Sequence, residues 1–592
     1  MNRNREYKDK VYKDAGVEHG VTAKAMTVIL ALILALVLTL TSCGSTAEAE
    51  SGGGVTSQTS TEASYNAASK SEMFTERDLS DDYDESEAET ITLSGSSIET
   101  SASSGVSIDG STITISAEGV YVVSGTLADG QIIVDADDAA KVQIVLKGAS
   151  VTSSDSAALY VKSADKVFVT TAAGTENTLA NGGSFVADGD TNVDGAVFAK
   201  DDITFNGSGS LTIDSPAGHG IVGKDDVKIA GGTVTINAAN HGIQANDSVR
   251  VAEATLTVNA QTKDGIHVSD DADEEEGTES DSFFYMSDGS LSVSAGDDGI
   301  HADAEVLIEG GTIDVTNSYE GIEALSIKVS GGDIKAVASD DGFNAAGGNA
   351  SSGSQTFGSD DWGGGSKGGF SDGGTDGSIE ISGGTIYVQA GGDGIDSNGS
   401  VAISGGYTVV CGPTQGDTSV IDFNGEGTIT GGTFIGTGGA GMAESFTSAS
   451  QGLIAVSVGS QAAGSAVTLK DAAGSVIAEV TPELDYAVVY VSTKDMAQGE
   501  TYTLTAGTYS ESITLSDIMY STLNGGMGGS FGGGGPRGGM NGEMNDEMGG
   551  GMHGGMHRGG PGQGEAPDDI TGATQLDGGS PEGTALNGDT QA

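Results

Sequence analysis

Residues 220–241 read GIVGKDDVKIAGGTVTINAANH and contain the repeating unit of the chain. Three short segments of alternating apolar and polar residues are separated by turns rich in Gly, Asn and Asp. Alternation with a period of two is typical of β-strands. The next stretch repeats the pattern with Ile243, Val249-Arg250-Val251 and Thr255-Leu256-Thr257-Val258. The sequence therefore predicts a coil of three strands and three turns.

A tripeptide marks the same turn in successive copies of this unit. It occurs as Asp194-Gly195-Ala196, His219-Gly220-Ile221, His241-Gly242-Ile243, Asp264-Gly265-Ile266, Asp298-Gly299-Ile300, Glu320-Gly321-Ile322, Asp341-Gly342-Phe343 and Asp393-Gly394-Ile395. Most copies are 21 to 25 residues apart, and the longer gaps hold a polyacidic insertion around 270–283 and a Gly-rich one around 346–377. A fixed period of this length is typical of solenoids.

We therefore predict an all-β protein built on a right-handed parallel β-helix, with the hand taken from the usual crossover rule. The alternatives fit less well: a propeller blade needs about 40 residues or more, and the Leu/Asn pattern of a leucine-rich horseshoe is absent. In an unbroken stack, equivalent positions of neighbouring coils lie about 4.8 Å apart.

The N-terminus predicts export. Residues 1–24 hold six Lys/Arg against four acids, and an apolar run extends from Ala25 to Leu40. This run is too short to favour a membrane-spanning helix. Its ending, Leu40-Thr41-Ser42-Cys43, resembles a bacterial lipobox, which implies cleavage before Cys43 and lipid attachment to that residue; the alternative is an ordinary secretory signal. We expect a domain tethered to the outer face of the cytoplasmic membrane, at the cell surface.

Composition divides the chain into five segments. Residues 1–42 are the predicted signal peptide, 43–88 a flexible Ser/Thr/Glu-rich spacer, and 89–441 the β-helix. Residues 442–523 lack the repeat and predict a small antiparallel, sandwich-like β-module or cap. Residues 524–592, rich in Gly, Met and His, predict a disordered tail. The net charge of −61 argues against a nucleic-acid partner, because phosphate binding needs an excess of Lys and Arg. Separately, we expect the protein to be a monomer.

Carboxylates recur at fixed positions of the coil and predict a cation site. The residue before the tripeptide Gly is acidic in five later copies, and polar groups follow three residues on. Stacked like charges repel unless an ion or proton neutralises them, and hard oxygen ligands suit Ca²⁺. We predict Ca²⁺ at two groups: Asp297, Asp298, Glu320, Glu323, Asp340, Asp341 and Asn344, and Asp393, Asp396 and Asn398. The alternative is a solvated acidic edge in which Asp caps turns.

The lipobox, the Asp-Gly-Ile turns, the Gly-rich insertion and the Gly/Met tail together resemble clostridial carbohydrate-binding domain proteins. That resemblance covers roughly residues 90–520 and implies a right-handed β-helix that binds calcium, cellulose and acidic pectin-type sugars. Asp340-Asp341-Gly342-Phe343-Asn344 is also similar to the calcium motif of family-9 pectate lyases, in which an Asp stands where Asn344 stands here.

Three functions remain open from the sequence. A lyase would need a basic residue beside Ca²⁺ to remove the proton α to the uronate carboxylate, and Lys328 is the weak candidate. Because Lys328 alternates with Ile327 and Val329, it is better explained as a solvated residue on the outer face of a strand. We favour a non-catalytic, calcium-dependent binder of plant cell-wall polysaccharide over a lyase, with a structural surface stalk or adhesin as the third possibility. The sequence does not assign the carbohydrate-binding residues.

Overall fold

The computed structural model describes residues 70–269, 281–345, 377–413 and 418–523. Within these ranges the chain is almost entirely β-structure, with one short helix, α1 (Lys70–Met73). No helix in the described part is both long and apolar enough to cross a membrane. The predicted signal peptide with Cys43, most of both insertions and the C-terminal tail lie outside the described residues.

Two antiparallel hairpins open the structure, and parallel pairing follows. The hairpins are β1 (Glu89–Gly95) with β2 (Ser97–Thr100), and β3 (Val106–Asp109) with β4 (Thr112–Ile115). The next strands are β5 (Gly119–Leu127), β6 (Gln131–Asp135), β7 (Lys141–Ser153), β8 (Leu159–Ser163), β9 (Lys166–Thr171), β10 (Glu176–Asn181), β11 (Gly195–Ala199), β12 (Asp202–Gly207), β13 (Ser210–Ser215), β14 (His219–Gly223), β15 (Asp226–Ile229) and β16 (Thr233–Ala238).

The repeating part continues in the same order to the end of the solenoid. Its strands are β17 (Ile243–Ala245), β18 (Ser248–Val251), β19 (Thr255–Ala260), β20 (Ile266–Val268), β21 (Phe283–Met286), β22 (Ser290–Ser294), β23 (Ile300–Ile308), β24 (Thr312–Asn317), β25 (Ile322–Val329), β26 (Asp333–Val337), β27 (Phe343–Ala345), β28 (Ser378–Ile381), β29 (Thr385–Gln389), β30 (Ile395–Ser397), β31 (Ser400–Ile403), β32 (Tyr407–Cys411), β33 (Asp422–Phe423), β34 (Gly427–Ile429), β35 (Thr433–Gly438) and β36 (Ser448–Ala449).

Each full coil gives one strand to each of three parallel sheets, which confirms the predicted all-β solenoid. The first sheet runs through β11, β14, β17, β20, the start of β23 and of β25, β27, β30 and β33. The second contains β9, β12, β15, β18, β21, the ends of β23 and β25, β28, β31 and β34. The third contains β10, β13, β16, β19, β22, β24, β26, β29, β32 and β35.

The apolar residue of the tripeptide forms one inward row. Its members are paired in register along the first sheet and fully buried: Ile221, Ile243, Ile266, Ile300, Ile322, Phe343 and Ile395. Burying a side chain of this size contributes about 1.5–3 kcal/mol. The described residues contain no disulfide, and Cys411 is a free buried thiol, so this stacked core stabilises the coils without a covalent cross-link there.

The tripeptide glycine is required by the close approach of successive turns. A Cβ atom on Gly299 would lie 2.5 Å from the carbonyl oxygen of Gly321, and one on Gly321 would lie 2.3 Å from that of Gly342. Only glycine lets the backbone stack at the strand spacing here. Each residue of the Asp-Gly-Ile repeat therefore has its own role. The Asp is the turn residue, the Gly lacks the Cβ that would clash with the next turn, and the Ile packs in the core.

Antiparallel pairing returns after β36. Strands β37 (Leu453–Gln461) and β40 (Tyr486–Thr493) extend the third sheet, since β40 pairs antiparallel with both β35 and β37, and β43 (Met519–Ser521) lies beside β37. A separate antiparallel sheet has the order β39-β38-β41-β42 and contains β38 (Val467–Lys470), β39 (Val476–Val480), β41 (Thr501–Ala506) and β42 (Tyr509–Thr514). These strands share a second apolar core with β32 and β35.

The sequence predicts a flexible spacer over residues 43–88, but the described part of it, from residue 70 onward, packs against the β-helix. The Asp78 carboxylate is fully buried, 2.7 Å from the Lys166 ammonium and 2.7 Å from the Thr204 hydroxyl. Phe74 is also buried, in a cluster with Tyr285. The segment following α1 therefore packs on the second sheet, because its buried carboxylate and aromatic ring find partners there that lie more than eighty residues away in sequence.

Candidate cation-binding edge

Two rows of polar side chains run along the stack where each coil enters the first sheet. The turn row is the residue before each tripeptide glycine, and its acidic members are Asp194, Asp264, Asp298, Glu320, Asp341 and Asp393. The strand row lies three residues later and is paired in register as His267, His301, Glu323, Asn344, Asp396 and Asp422. Strand-row side chains alternate with the buried apolar row and therefore point outward.

Carboxylates of the turn row cap the backbone of the next coil. The Asp298 N–H donates to Asp264 Oδ1 at 3.1 Å, the Glu320 N–H to Asp298 Oδ1 at 3.0 Å, and the Asp393 N–H to Asp341 Oδ1 at 2.5 Å. The Ser419 N–H donates to Asp393 Oδ1 in the same way. Turn capping explains part of the acidic repeat, as the solvated-edge alternative expects. One oxygen of each carboxylate is left for other partners.

The central part of the edge joins two glutamates and an amide. Asn344 Nδ2 donates to Glu320 Oε2 at 2.7 Å, and Asn344 pairs in register with Glu323. Asn344 Oδ1 is buried and has no hydrogen-bond partner among the described residues. Burial, with the neighbouring carboxylates, raises the pKa of Glu320 well above its ordinary value, and burial with Asp264 and Glu323 does the same for Asp298. A buried oxygen without a donor beside such carboxyl groups fits a cation.

An imidazole lies within this acidic group, and the sequence analysis did not assign it a role. Nδ1 of His301 is 2.6 Å from Glu323 Oε2, and its Nε2 is 3.2 Å from Asp303 Oδ1. Burial disfavours the imidazolium, but the hydrogen bonds to Asp303 and Glu323 outweigh it and raise the pKa of His301 well above its usual value. Both ring nitrogens of His301 thus face carboxylates inside the edge.

A second acidic group lies further along the edge. One oxygen from each of Asp393, Asp396 and Asp422 lies within 4.8 Å of the other two. Burial and nearby carboxylates raise the pKa of Asp341 to about 8, of Asp393 to about 7 and of Asp396 to about 6. Asn398, predicted with this group, accepts a hydrogen bond from Asn424 at 3.1 Å, one coil on.

Two members of this group were missed from the sequence. Asp422 lies in register with Asp396, and burial and the charge of Asp422 raise the pKa of Glu444 to about 7. Their coils lack the tripeptide, because Ser419 occupies the turn row and Val420 replaces its glycine. The one sequence signal was the alternation Ile421-Asp422-Phe423, which places Asp422 outward between apolar residues.

A third, more exposed column flanks the turn row. The Tyr319 N–H donates to the Asp297 carbonyl at 2.7 Å, and the Asp340 N–H donates to the Tyr319 carbonyl at 2.9 Å. The Tyr319 side chain is 43% exposed, and its hydrogen bond to Asp340 raises the pKa of its hydroxyl. Asp340 and Asp341 converge over Gly392, where a Cβ atom would lie 2.4 Å from an oxygen of each. An aromatic ring and several carboxylates thus lie side by side at the surface.

Lys328, the weak candidate for a lyase base, lies in the part of β25 that belongs to the second sheet. Its ammonium is 2.5 Å from Glu305 Oε1, so it forms an ion pair with the neighbouring coil. The described contacts of Lys328 therefore give a structural reason for its presence.

Fold and edge together define a parallel β-helix with a row of closely spaced acidic and amide side chains along one side. Residues 109–363 match the family described as carbohydrate-binding domain-containing protein. A protein of that description from Acetivibrio thermocellus is 36% identical over 136 residues, which are 23% of this chain and 48% of that protein. This chain thus spans about half the length of that relative. A solved structure described as a polysaccharide lyase-like protein from C. thermocellum, gadolinium derivative, is 28% identical, has a TM-score of 0.36, and is matched over 42% of this chain and 93% of that one.

Proposed function

We propose that this protein binds acidic plant cell-wall polysaccharide of the pectin type through Ca²⁺ held on the polar edge, without cleaving it. The observation that carries the proposal is the buried, partnerless Asn344 oxygen beside Glu320 and Glu323, inside the stretch that matches a carbohydrate-binding family. Neutral glucans such as cellulose would bind less well, because they have no carboxylate to complete the coordination of an ion.

The charge of the protein determines how such a ligand is held. With a net charge of −61 the chain repels a polyanion at long range. A uronate carboxylate is retained only if an ion bridges it to the protein. Ca²⁺ takes about six to eight oxygen ligands and tolerates irregular geometry, so carboxylates of the protein and of the sugar can share it. The half-exposed positions Asp297 and Asp340 are where a ligand from solvent can reach such an ion.

Tyr319 supplies the apolar contact that a sugar ring needs. Its exposed ring lies between Asp297 and Asp340 along the same column, so a sugar stacked on it has its carboxylate beside the acidic residues. Aromatic residues with a polar group at one end are favoured at binding surfaces that remain partly exposed to solvent. This residue was not identified from the sequence.

Replacing Tyr319 with Ala should weaken retention of polygalacturonate in excess Ca²⁺ roughly fivefold, which corresponds to about 1 kcal/mol for a lost aromatic contact. Tyr319→Phe keeps the ring and should retain most of the binding. The matched control is Tyr407→Ala, which removes another surface tyrosine, 40% exposed, from the third sheet. Affinity electrophoresis in gels containing polygalacturonate measures the difference. Equal losses in the Tyr319→Ala and Tyr407→Ala variants would rule out the proposed contact.

The location is part of the same proposal. Lipid attachment at Cys43 would hold the domain at the outer face of the cytoplasmic membrane, and the remaining part of the spacer would separate the two. A monomer suffices, since the edge is built from one chain. A polysaccharide lyase and a structural stalk are the alternatives, and an assay that follows both retention and turnover of polygalacturonate distinguishes them.

A further inference from the structure

Four of the seven histidines of the chain form one continuous stack at the other end of the polar edge. The ring centroids are 5.1 Å apart for His219 and His241, 4.4 Å for His241 and His267, and 4.9 Å for His267 and His301. Neighbouring rings are within about 22° of parallel. The donor atoms along the edge therefore change from nitrogen to oxygen as the coils proceed.

Asp264 lies between two of these imidazoles. Its Oδ2 is 2.6 Å from Nδ1 of His267 and 3.4 Å from Nδ1 of His241, while Oδ1 accepts the Asp298 N–H. One ligand atom from each of these three side chains lies within 4.8 Å of those of the other two. Asp264 is 5% exposed, so its carboxylate is held between the two rings rather than in solvent.

We propose that His241, Asp264 and His267 form a site for a borderline divalent transition metal ion such as Zn²⁺, separate from the Ca²⁺ positions. Imidazole nitrogen with one carboxylate is a ligand set that suits Zn²⁺, Ni²⁺ or Co²⁺ and does not suit Ca²⁺. The remaining coordination positions would be taken by water or by an external ligand. This proposal is independent of polysaccharide binding.

The distances allow an ion to enter with small adjustments. Tetrahedral bonds of about 2.1 Å place neighbouring ligand atoms about 3.4 Å apart, which is the present separation of His241 Nδ1 and Asp264 Oδ2. His267 would withdraw by about 0.8 Å from its 2.6 Å hydrogen bond. The ion takes the place of its Nδ1 proton, and the neutral ring then carries its proton on Nε2. His241 Nδ1 gives up the long 3.2 Å bond that it accepts from the Asp264 N–H.

The two remaining imidazoles of the stack, His219 and His301, lie on either side of the proposed site. Nδ1 of His219, next to His241 in the stack, is buried and has no hydrogen-bond partner among the described residues. Nδ1 of His241 accepts a hydrogen bond from the Asp264 N–H, so its lone pair faces Asp264. His301 at the other end of the stack has both ring nitrogens within hydrogen-bond distance of carboxylates, those of Glu323 and Asp303. It therefore separates the nitrogen-rich end from the oxygen-rich end.

The experiment titrates the full, metal-free chain with ZnCl₂ alone by calorimetry. His241→Gln and His267→Gln should each weaken the tight site by about tenfold or more. Asp341→Asn should leave the zinc affinity within about twofold of the parent. A variant that loses calcium binding but keeps zinc binding then distinguishes the proposed calcium positions from the zinc site. The double variant His553→Ala/His557→Ala controls for the tail imidazoles and should keep the tight site.

Co²⁺ provides a second measurement that does not depend on the folding of a variant. The tail variant loaded with CoCl₂ should show the visible d–d absorption of a nitrogen-ligated site, and His267→Gln in that background should lose it while retaining its far-ultraviolet circular dichroism. Three results would each overturn the proposal: no such absorption, unchanged zinc affinity in both glutamine variants, or loss of all tight zinc binding when only the tail histidines are replaced.

Discussion

Removal of Ca²⁺ should lower the melting temperature strongly near pH 8 and only slightly near pH 5. In the absence of an ion, the carboxyl groups of the edge can only be neutralised by protons. Burial raises the pKa of Asp341 to about 8, of Asp393 to about 7 and of Asp396 to about 6, from an ordinary value of 3.8. The metal-free folded protein therefore keeps protons that the unfolded chain has already released.

The sign of the pH dependence follows from this difference. Between about pH 4 and pH 8 the folded state binds more protons than the unfolded state, so the free energy of unfolding falls as the pH rises. Each tenfold difference in proton affinity corresponds to about 1.4 kcal/mol. Bound Ca²⁺ replaces the protons and restores stability at high pH, by about 2.7 kcal/mol per site at a hundredfold excess over its Kd.

Thermal melts of the full chain at about pH 5 and pH 8, in EDTA and in excess CaCl₂, measure this directly. The EDTA samples should melt lower at pH 8 than at pH 5, and calcium should close most of that gap. MgCl₂ serves as the control ion, because its strict octahedral geometry fits an irregular carboxylate cluster poorly. Identical melts in EDTA and CaCl₂ at pH 8 would contradict the calcium assignment.

Asp341→Asn should have opposite effects on the metal-free and calcium-bound protein. Asparagine keeps an oxygen for the Asp393 N–H but removes one buried charge from a group with Asp340, Asp393 and Asp396. The metal-free variant should therefore be more stable than the parent at pH 8. Its calcium affinity should fall by about tenfold, because one anionic ligand is lost.

The matched control is Asp333→Asn, an exposed aspartate on β26 of the third sheet. It removes the same charge from the protein without touching the edge, so long-range electrostatics change equally in both variants. Calorimetric titration with CaCl₂ and melts in EDTA give the two quantities. Equal calcium affinities in the Asp341→Asn and Asp333→Asn variants would show that the turn row does not hold the ion.

The repetitive features of the fold were predictable because every coil meets the same environment. Ile266, Ile300 and Ile322 repeat one position, and a glycine before each lets the turns stack. The period of two then places the side chain after each isoleucine outward, which is how the strand row could be read from the sequence. The hand of the helix and the division of the chain into segments stay predictions.

The features that could not be predicted from the sequence depend on single contacts that do not repeat from coil to coil. Asp78 finds Lys166 and Thr204 from a segment that resembles a spacer in composition. Asp422 and Glu444 join the edge from coils that lack the tripeptide. Such pairings are set by packing across coils, and no local pattern in the chain records them.

The measurement that tests the central claim most directly combines binding and turnover of polygalacturonate. The full chain is incubated with insoluble polygalacturonate in CaCl₂ or in EDTA, the bound fraction is measured, and the soluble fraction is followed by the ultraviolet absorption of an unsaturated uronate. We predict retention in calcium, release in EDTA, weaker binding of cellulose, and no absorbing product. Steady product formation that Lys328→Ala abolishes would make the protein a lyase. Retention that persists unchanged in EDTA, or no retention in either condition, would contradict the calcium-bridged binding proposed here, and the latter would favour a structural stalk.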